Sequence, residues 1–184
     1  MKKIIGLLLA VTMMFALGGC NAITIDGEGE LSGEKSGAVG FSVSTLNNPF
    51  FVSLSEGAKA EAEKQGVKLV VVDAGDDAAK QTNDIEDLIS RNVSVLIVNP
   101  VDSDAVAPAV QNAVSKGIKV ISVDRVVNGV EVDCQIASDN AAGAKMATEY
   151  LVELIGEGAK AAELEGVPGA SATIDRGAGF HEAA

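Results

Sequence analysis

From Ala38 onward the chain alternates two textures. Continuous apolar runs stand at Gly40–Val43, Lys68–Val72, Val93–Val98 and Lys119–Val123. They lack in–out alternation, which suits parallel strands covered on both faces. Between them lie helix-like stretches at Phe50–Gln65, Ala78–Arg91 and Ser103–Lys116. In the last of these, Val106, Val110, Ala113 and Val114 keep the spacing of one helical face. Gly66 and Gly117 sit where helix C-caps are expected. Pro108 conflicts with the helix around it and predicts a bent or delayed first turn. The pattern predicts a doubly wound α/β lobe with a parallel sheet over residues 38–138.

A fifth apolar run, Val132–Ala137, leads into Asp139-Asn140 and a helix from Ala141 to Ile155. A further strand at Ala161–Leu164 and a helix from Ala172 onward complete the pattern. Residues 139–184 read as the start of a second α/β lobe, with fewer βα repeats than a stable sheet usually needs. The expectation is of an incomplete second lobe, in a chain that stops short of a longer protein.

In an open parallel sheet, ligands bind beyond the carboxyl ends of the strands. Those ends carry Ser44 and the turn through Asn48 into Pro49-Phe50-Phe51, then Asp73, Asn99-Pro100, Asp124-Arg125 and Ser138-Asp139-Asn140. This chemistry suits a sugar. A carboxylate accepts from neighbouring hydroxyls, a guanidinium donates several bonds in a fixed fork, and an amide does both. Phe50 and Phe51 offer flat apolar faces to the C–H side of a sugar ring. Each residue also has a structural reading. Asn48 before Pro49 serves as a helix cap, as a ligand contact, or as both. Adjacent phenylalanines point to different helix faces, so one belongs to the core and the other to a site wall, or both staple the helix. Asp124 and Arg125 bind a ligand, pair with each other, or line a domain interface. Asp73 caps the following loop, and Asp102, Ser103 and Asp104 mark a helix start, not a metal site.

The first residues carry a targeting pattern. Lys2 and Lys3 precede an uncharged apolar run from Ile4 to Leu17, followed by Gly18-Gly19-Cys20. The run is shorter than the roughly 20 residues of a membrane span. It reads as a secretory signal over residues 1–19. Leu17-Gly18-Gly19-Cys20 resembles the bacterial lipobox, which implies lipidation at Cys20 and a membrane anchor on the extracytoplasmic face of the cell membrane. An ordinary secretory signal is the alternative. Residues 20–37 then hold the lipidated cysteine and a Gly-, Ser- and Glu-rich tether. The 184 residues carry a formal charge of −12 without basic clusters, which argues against nucleic-acid binding. With Cys20 consumed, Cys134 is left alone among Val132, Ile136 and Ala137 and reads as a buried strand thiol. No metal site and no cofactor are expected.

Ser44-Thr45-Leu46-Asn47-Asn48-Pro49-Phe50-Phe51, Asn99-Pro100-Val101-Asp102-Ser103-Asp104-Ala105, Val123-Asp124-Arg125 and Ile136-Ala137-Ser138-Asp139-Asn140, in that order, resemble the D-ribose-binding proteins, type I periplasmic binding proteins of ABC sugar importers. The resemblance implies two α/β lobes joined by a hinge, first crossed near Ala137–Asp139, that closes over a monosaccharide. It implies that Ser44 and Asn48 approach the ligand, that Phe50 and Phe51 stack on it, and that Asn99, Asp124 and Arg125 bond its hydroxyls. Gly169-Ala170-Ser171-Ala172 and Arg176-Gly177-Ala178-Gly179-Phe180 fit the family's second-lobe block and make Arg176 a further ligand. D-ribose is the implied ligand, and an ABC permease complex the implied partner. Other family ligands come from sequence absent here, so a cleft closed from both lobes is not expected of this chain alone.

An enzyme is not expected. The only histidine, His181, has no evident triad partner, and Gly27-Glu28-Gly29 and Gly177-Ala178-Gly179 lack the strand-to-helix setting of a nucleotide loop. The competing readings are a sugar-sensing regulator or chemoreceptor ligand of the same fold, and a non-functional fragment.

Overall fold

The computed structural model describes residues 37–156 and 158–184. The signal, Cys20 and nearly all of the tether lie outside the described residues.

Ten elements follow in chain order: β1 (Val39–Val43), α1 (Pro49–Gln65), β2 (Leu69–Asp73), α2 (Ala78–Ser90), β3 (Val95–Val98), α3 (Ala107–Ser115), β4 (Lys119–Val123), β5 (Cys134–Ile136), α4 (Asn140–Ile155) and α5 (Ser171–Ala183). The strands form one sheet in the order β2-β1-β3-β4-β5, and every neighbouring pair is parallel. The chain reverses its winding between β1 and β3, so the carboxyl ends of these two strands flank the crevice where such sheets take ligands. The parallel α/β architecture expected from the sequence is the one observed.

Local chemistry sets the helix boundaries. Asn48 caps α1, its Oδ1 accepting from the Phe50 amide at 2.9 Å, and Pro49 occupies the first turn, where its missing N–H costs nothing. Gly66 ends α1 at φ 66°, a left-handed conformation that glycine adopts without a Cβ clash. Asp77 caps α2 through the Lys80 amide. The third helix does not run from Ser103; it begins at Ala107. Pro108 then falls in the first turn, whereas a helix already formed at Asp104 would meet the proline ring with that residue's carbonyl. Residues 101–106 instead form turns held by Asp102 Oδ1, which accepts from the amides of Asp104 and Ala105.

Two apolar layers sandwich the sheet. On one face Ile85 and Leu88 of α2, Val106 just before α3 and Val110 of α3 pack against Val93, Leu96, Val98 and Val120. On the other, Phe51 of α1 joins Phe41 and Val43, with Leu54, Val71, Ile97 and Val123 around them. Each fully buried side chain of this size contributes roughly 1.5–3 kcal/mol. Gly40 lets the first layer approach closely: a Cβ there would lie 3.0 Å from Leu88 Cδ1, and that side chain would have to give way.

Two expectations are corrected. Ala161–Leu164 forms no strand, and Leu164 is 98% exposed; among the described residues no strand pairs with it. Cys134 is exposed, not buried, because β5 is an edge strand whose three residues all face solvent.

Beyond the sheet, α4 and α5 pack closely. A Cβ on Gly179 would fall 2.1 Å from the Ala141 carbonyl oxygen. The start of α5 is stitched to the loops after β3 and β4. Ser171 Oγ accepts from the Val126 amide at 2.8 Å, and the Ser171 amide donates to Ser103 Oγ at 3.1 Å. Ser103 in turn donates its amide to the Gly169 carbonyl at 2.9 Å. Among the described residues no helix is long and apolar enough to cross a membrane.

Candidate functional site

A cleft of about 280 Å³ opens at the carboxyl end of the sheet, lined by Asn48, Phe50, Phe51, Asp124, Arg125 and Arg176, with Ala172 and Thr173. Its size is near the lower bound of about 300 Å³ for small-molecule sites. Six of the eight expected ligand residues thus meet in one place.

The two phenylalanines divide their work. Phe51 is buried in the core, while Phe50 is 57% exposed and forms the rim. Their rings meet edge to face, 5.3 Å between centroids. The Arg125 guanidinium carbon stands 5.1 Å from the Phe51 ring centroid. Arg125 Nη1 also donates to the Pro100 carbonyl at 2.7 Å and to the Val101 carbonyl at 3.4 Å, and Nε faces Asp124 Oδ2 at 3.7 Å. A ring beneath and carbonyls at one edge leave little rotational freedom in the fork. Burial pushes the guanidinium below its ordinary pKa; Asp124 and Asp76 oppose that, and Arg176 adds to it. An arginine stays protonated through such changes. Asp124 and Arg125 face each other, so the pairing and ligand readings are compatible.

The backbone aims these two side chains. The Arg125 amide donates to the Val123 carbonyl at 2.7 Å, closing a three-residue turn with Asp124 at its centre at φ 66°. Left-handed φ is tolerated by aspartate better than by most residues, and strain of this kind recurs at ligand sites. The turn is also pinned by the Asp124 amide, which donates to the Ile136 carbonyl at 2.7 Å.

Ser44 and Asn99 do not reach the cleft wall; both are 0% exposed. Asn99 Oδ1 accepts from the Ser44 amide at 3.2 Å and from Ser44 Oγ at 2.6 Å. Its Nδ2 donates to the Val123 carbonyl at 3.1 Å and faces Asp124 Oδ2 at 3.5 Å. All four positions of that amide are taken. It ties the end of β1 to the turn that carries Asp124. Asp73 acts one loop away, accepting from the Leu46 amide at 3.1 Å and the Gly75 amide at 2.9 Å, which fixes the approach to Asn48.

Sequence reading missed Gln81. It is 1% exposed and makes three bonds: Nε2 to Ser42 Oγ at 3.2 Å and to the Asn99 carbonyl at 2.9 Å, and Oε1 from the Val101 amide at 2.7 Å. Its place among Ile85, Leu88 and Ile89 on the buried face of α2 was the available signal.

The sequence profile of the periplasmic binding protein domain matches residues 39–184. The chain belongs to that family. It is 51% identical over 151 residues to the ribose import binding protein of Bacillus subtilis (strain 168), covering 82% of this chain and 50% of that protein. Two solved structures agree. An ABC transporter solute-binding protein from Mycobacterium smegmatis with bound glycerol superposes at a TM-score of 0.73 and 40% identity, over 79% of this chain and 51% of its own. The Caulobacter myo-inositol binding protein with bound myo-inositol superposes at 0.75 and 34% identity, over 80% of this chain and 50% of its own. The fold is that of the type I periplasmic binding proteins. The chain spans about half the length of these relatives.

Proposed function

We infer that the cleft binds a monosaccharide, D-ribose, as one side of an extracytoplasmic solute-binding protein that delivers its ligand to an ABC importer. The observation that carries this reading is the fixed Arg125 fork beside Asp124, stacked on Phe51 and facing Arg176. Charge-assisted bonds from such a set hold a polyhydroxyl ring, and Phe50 at the rim covers its apolar face. The likeness to a protein named for ribose import supports ribose among sugars. Asn48 both caps α1 and reaches the ligand. Ser44 and Asn99 serve by holding the turn that presents Asp124.

In this reading residues 38–138 form one lobe, 139–184 begin the second, and the crossing between them lies near Ala137–Asp139. A bound sugar favours closure by contacting both sides, Arg125 from one and Arg176 from the other. Cys20 carries the lipid that holds the protein on the extracytoplasmic face of the membrane, and residues 21–37 are the tether. The chemistry is capture, not catalysis. Titration of the chain with D-ribose tests the site; mass spectrometry of the chain expressed in a bacterial host tests the anchor, where an unmodified Cys20 overturns it.

A further inference from the structure

Gln81 sits on α2, away from the cleft wall, yet its bonds converge on the loop that holds Arg125. Its Nε2 donates to the Asn99 carbonyl at 2.9 Å, and its Oε1 accepts from the Val101 amide at 2.7 Å. These two bonds clamp the Asn99-Pro100-Val101 segment from both ends. The Pro100 carbonyl, inside the clamp, accepts from Arg125 Nη1 at 2.7 Å, and the Val101 carbonyl, just past it, at 3.4 Å. The remaining Nε2 proton goes to Ser42 Oγ at 3.2 Å, which anchors the carboxamide to β1. The clamped segment follows β3, on one side of the switch point. The amide is fully enclosed, so an unmade bond here leaves a buried polar group without water.

We propose that Gln81 is a positioning residue of the cleft: it fixes the Asn99–Val101 loop so that the Pro100 and Val101 carbonyls hold the Arg125 guanidinium in its ligand-facing orientation. The residue touches no ligand and acts through two peptide groups. Its consequence for sugar affinity rests on the ribose reading above; its consequence for Arg125 does not.

The test uses Gln81→Met, which fills similar space without hydrogen bonds, and Gln81→Leu, a smaller apolar side chain that also lacks them. Ser42→Ala is the control, since it removes the strand-side bond and leaves both clamp bonds. The readouts on the 184-residue chain are the thermal midpoint, the guanidinium signals of Arg125 in nitrogen-15 NMR, and D-ribose affinity. In the wild type and Ser42→Ala, Arg125 shows separate, slowly exchanging Nη protons. In both Gln81 variants these average, and ribose affinity falls by about tenfold, as when one hydrogen bond from Arg125 to the sugar is no longer aligned. If Gln81→Met does not fold, Gln81→Leu decides. Unaveraged Arg125 signals in a folded Gln81 variant overturn the proposal whatever the sugar does. Averaged Arg125 signals with no ribose binding even in the wild type uphold the clamp and overturn the ribose reading instead.

Discussion

The Arg125 guanidinium lies over the Phe51 ring, its carbon 5.1 Å from the ring centroid, while the same ring belongs to the apolar layer beneath the sheet. One aromatic side chain therefore joins the core to the cleft. The cation is held by π-attraction from below and by carbonyls at its edge, contacts supplied by the protein itself.

Replacing Arg125 with lysine keeps the charge and removes the fork. A point charge on a flexible stem cannot reproduce the bonds to Pro100 and Val101 together with those to a sugar. Affinity for D-ribose is expected to fall by roughly 1.5–3 kcal/mol, the range for a hydrogen bond to a charged group. Calorimetric titration of the variant checks this, and unchanged affinity contradicts it.

The two phenylalanines should separate cleanly. Phe51→Ala removes a core ring and destabilises by about 3–5 kcal/mol. Phe50→Ala alters an exposed rim and loses only the edge-to-face contact, so stability falls by about 0.5–1.5 kcal/mol while sugar binding weakens. Urea denaturation of the two variants measures the first difference, and equal destabilisation by both contradicts the division of labour.

Gly179 governs where Arg176 stands. A Cβ there would fall 2.1 Å from the Ala141 carbonyl oxygen, so Gly179→Ala must push α4 and α5 apart. The expected result is a loss of roughly 1–3 kcal/mol, as for other overpacked sites, with weaker ribose binding through displaced Arg176. A thermal midpoint at the wild-type value contradicts the close crossing.

Much of this was legible in the sequence. Runs of Val, Ile and Leu without alternation gave the parallel strands, and the residues after each run fell on one sheet edge. What the pattern could not carry was the direction of individual polar side chains. Asn99 and Asp124 both follow strands, yet Asn99 turns inward to hold Ser44 and Val123 while Asp124 turns to the cleft. Gln81 occupies an apolar helix face as a buried amide, which only its distant partners explain. Cys134 and Ala161–Leu164 have the composition of strand interiors, but burial depends on neighbours, and no described element covers them.

At the far edge of the sheet, Asp133 binds the Lys119 ammonium at 2.7 Å and accepts from the Val120 amide at 2.9 Å. These bonds hold its carboxyl below the usual value, the Lys119 hydrogen bond foremost. A depressed folded value means that its contribution to stability is present above the unfolded value and is lost as pH falls through the folded one. Asp133→Asn should therefore lower the thermal midpoint at neutral pH, with the gap closing as the pH falls below the ordinary carboxylate range. A gap that stays constant with pH contradicts the assignment.

On the proposed reading, the cleft of Asn48, Phe50, Asp124, Arg125 and Arg176 takes a sugar. The most direct measurement is a heteronuclear NMR titration of the chain with D-ribose. Saturable shifts centred on those residues, and absent in Asp124→Ala, are the predicted result. No shifts as ribose is raised, or shifts that saturate elsewhere on the surface, would contradict it.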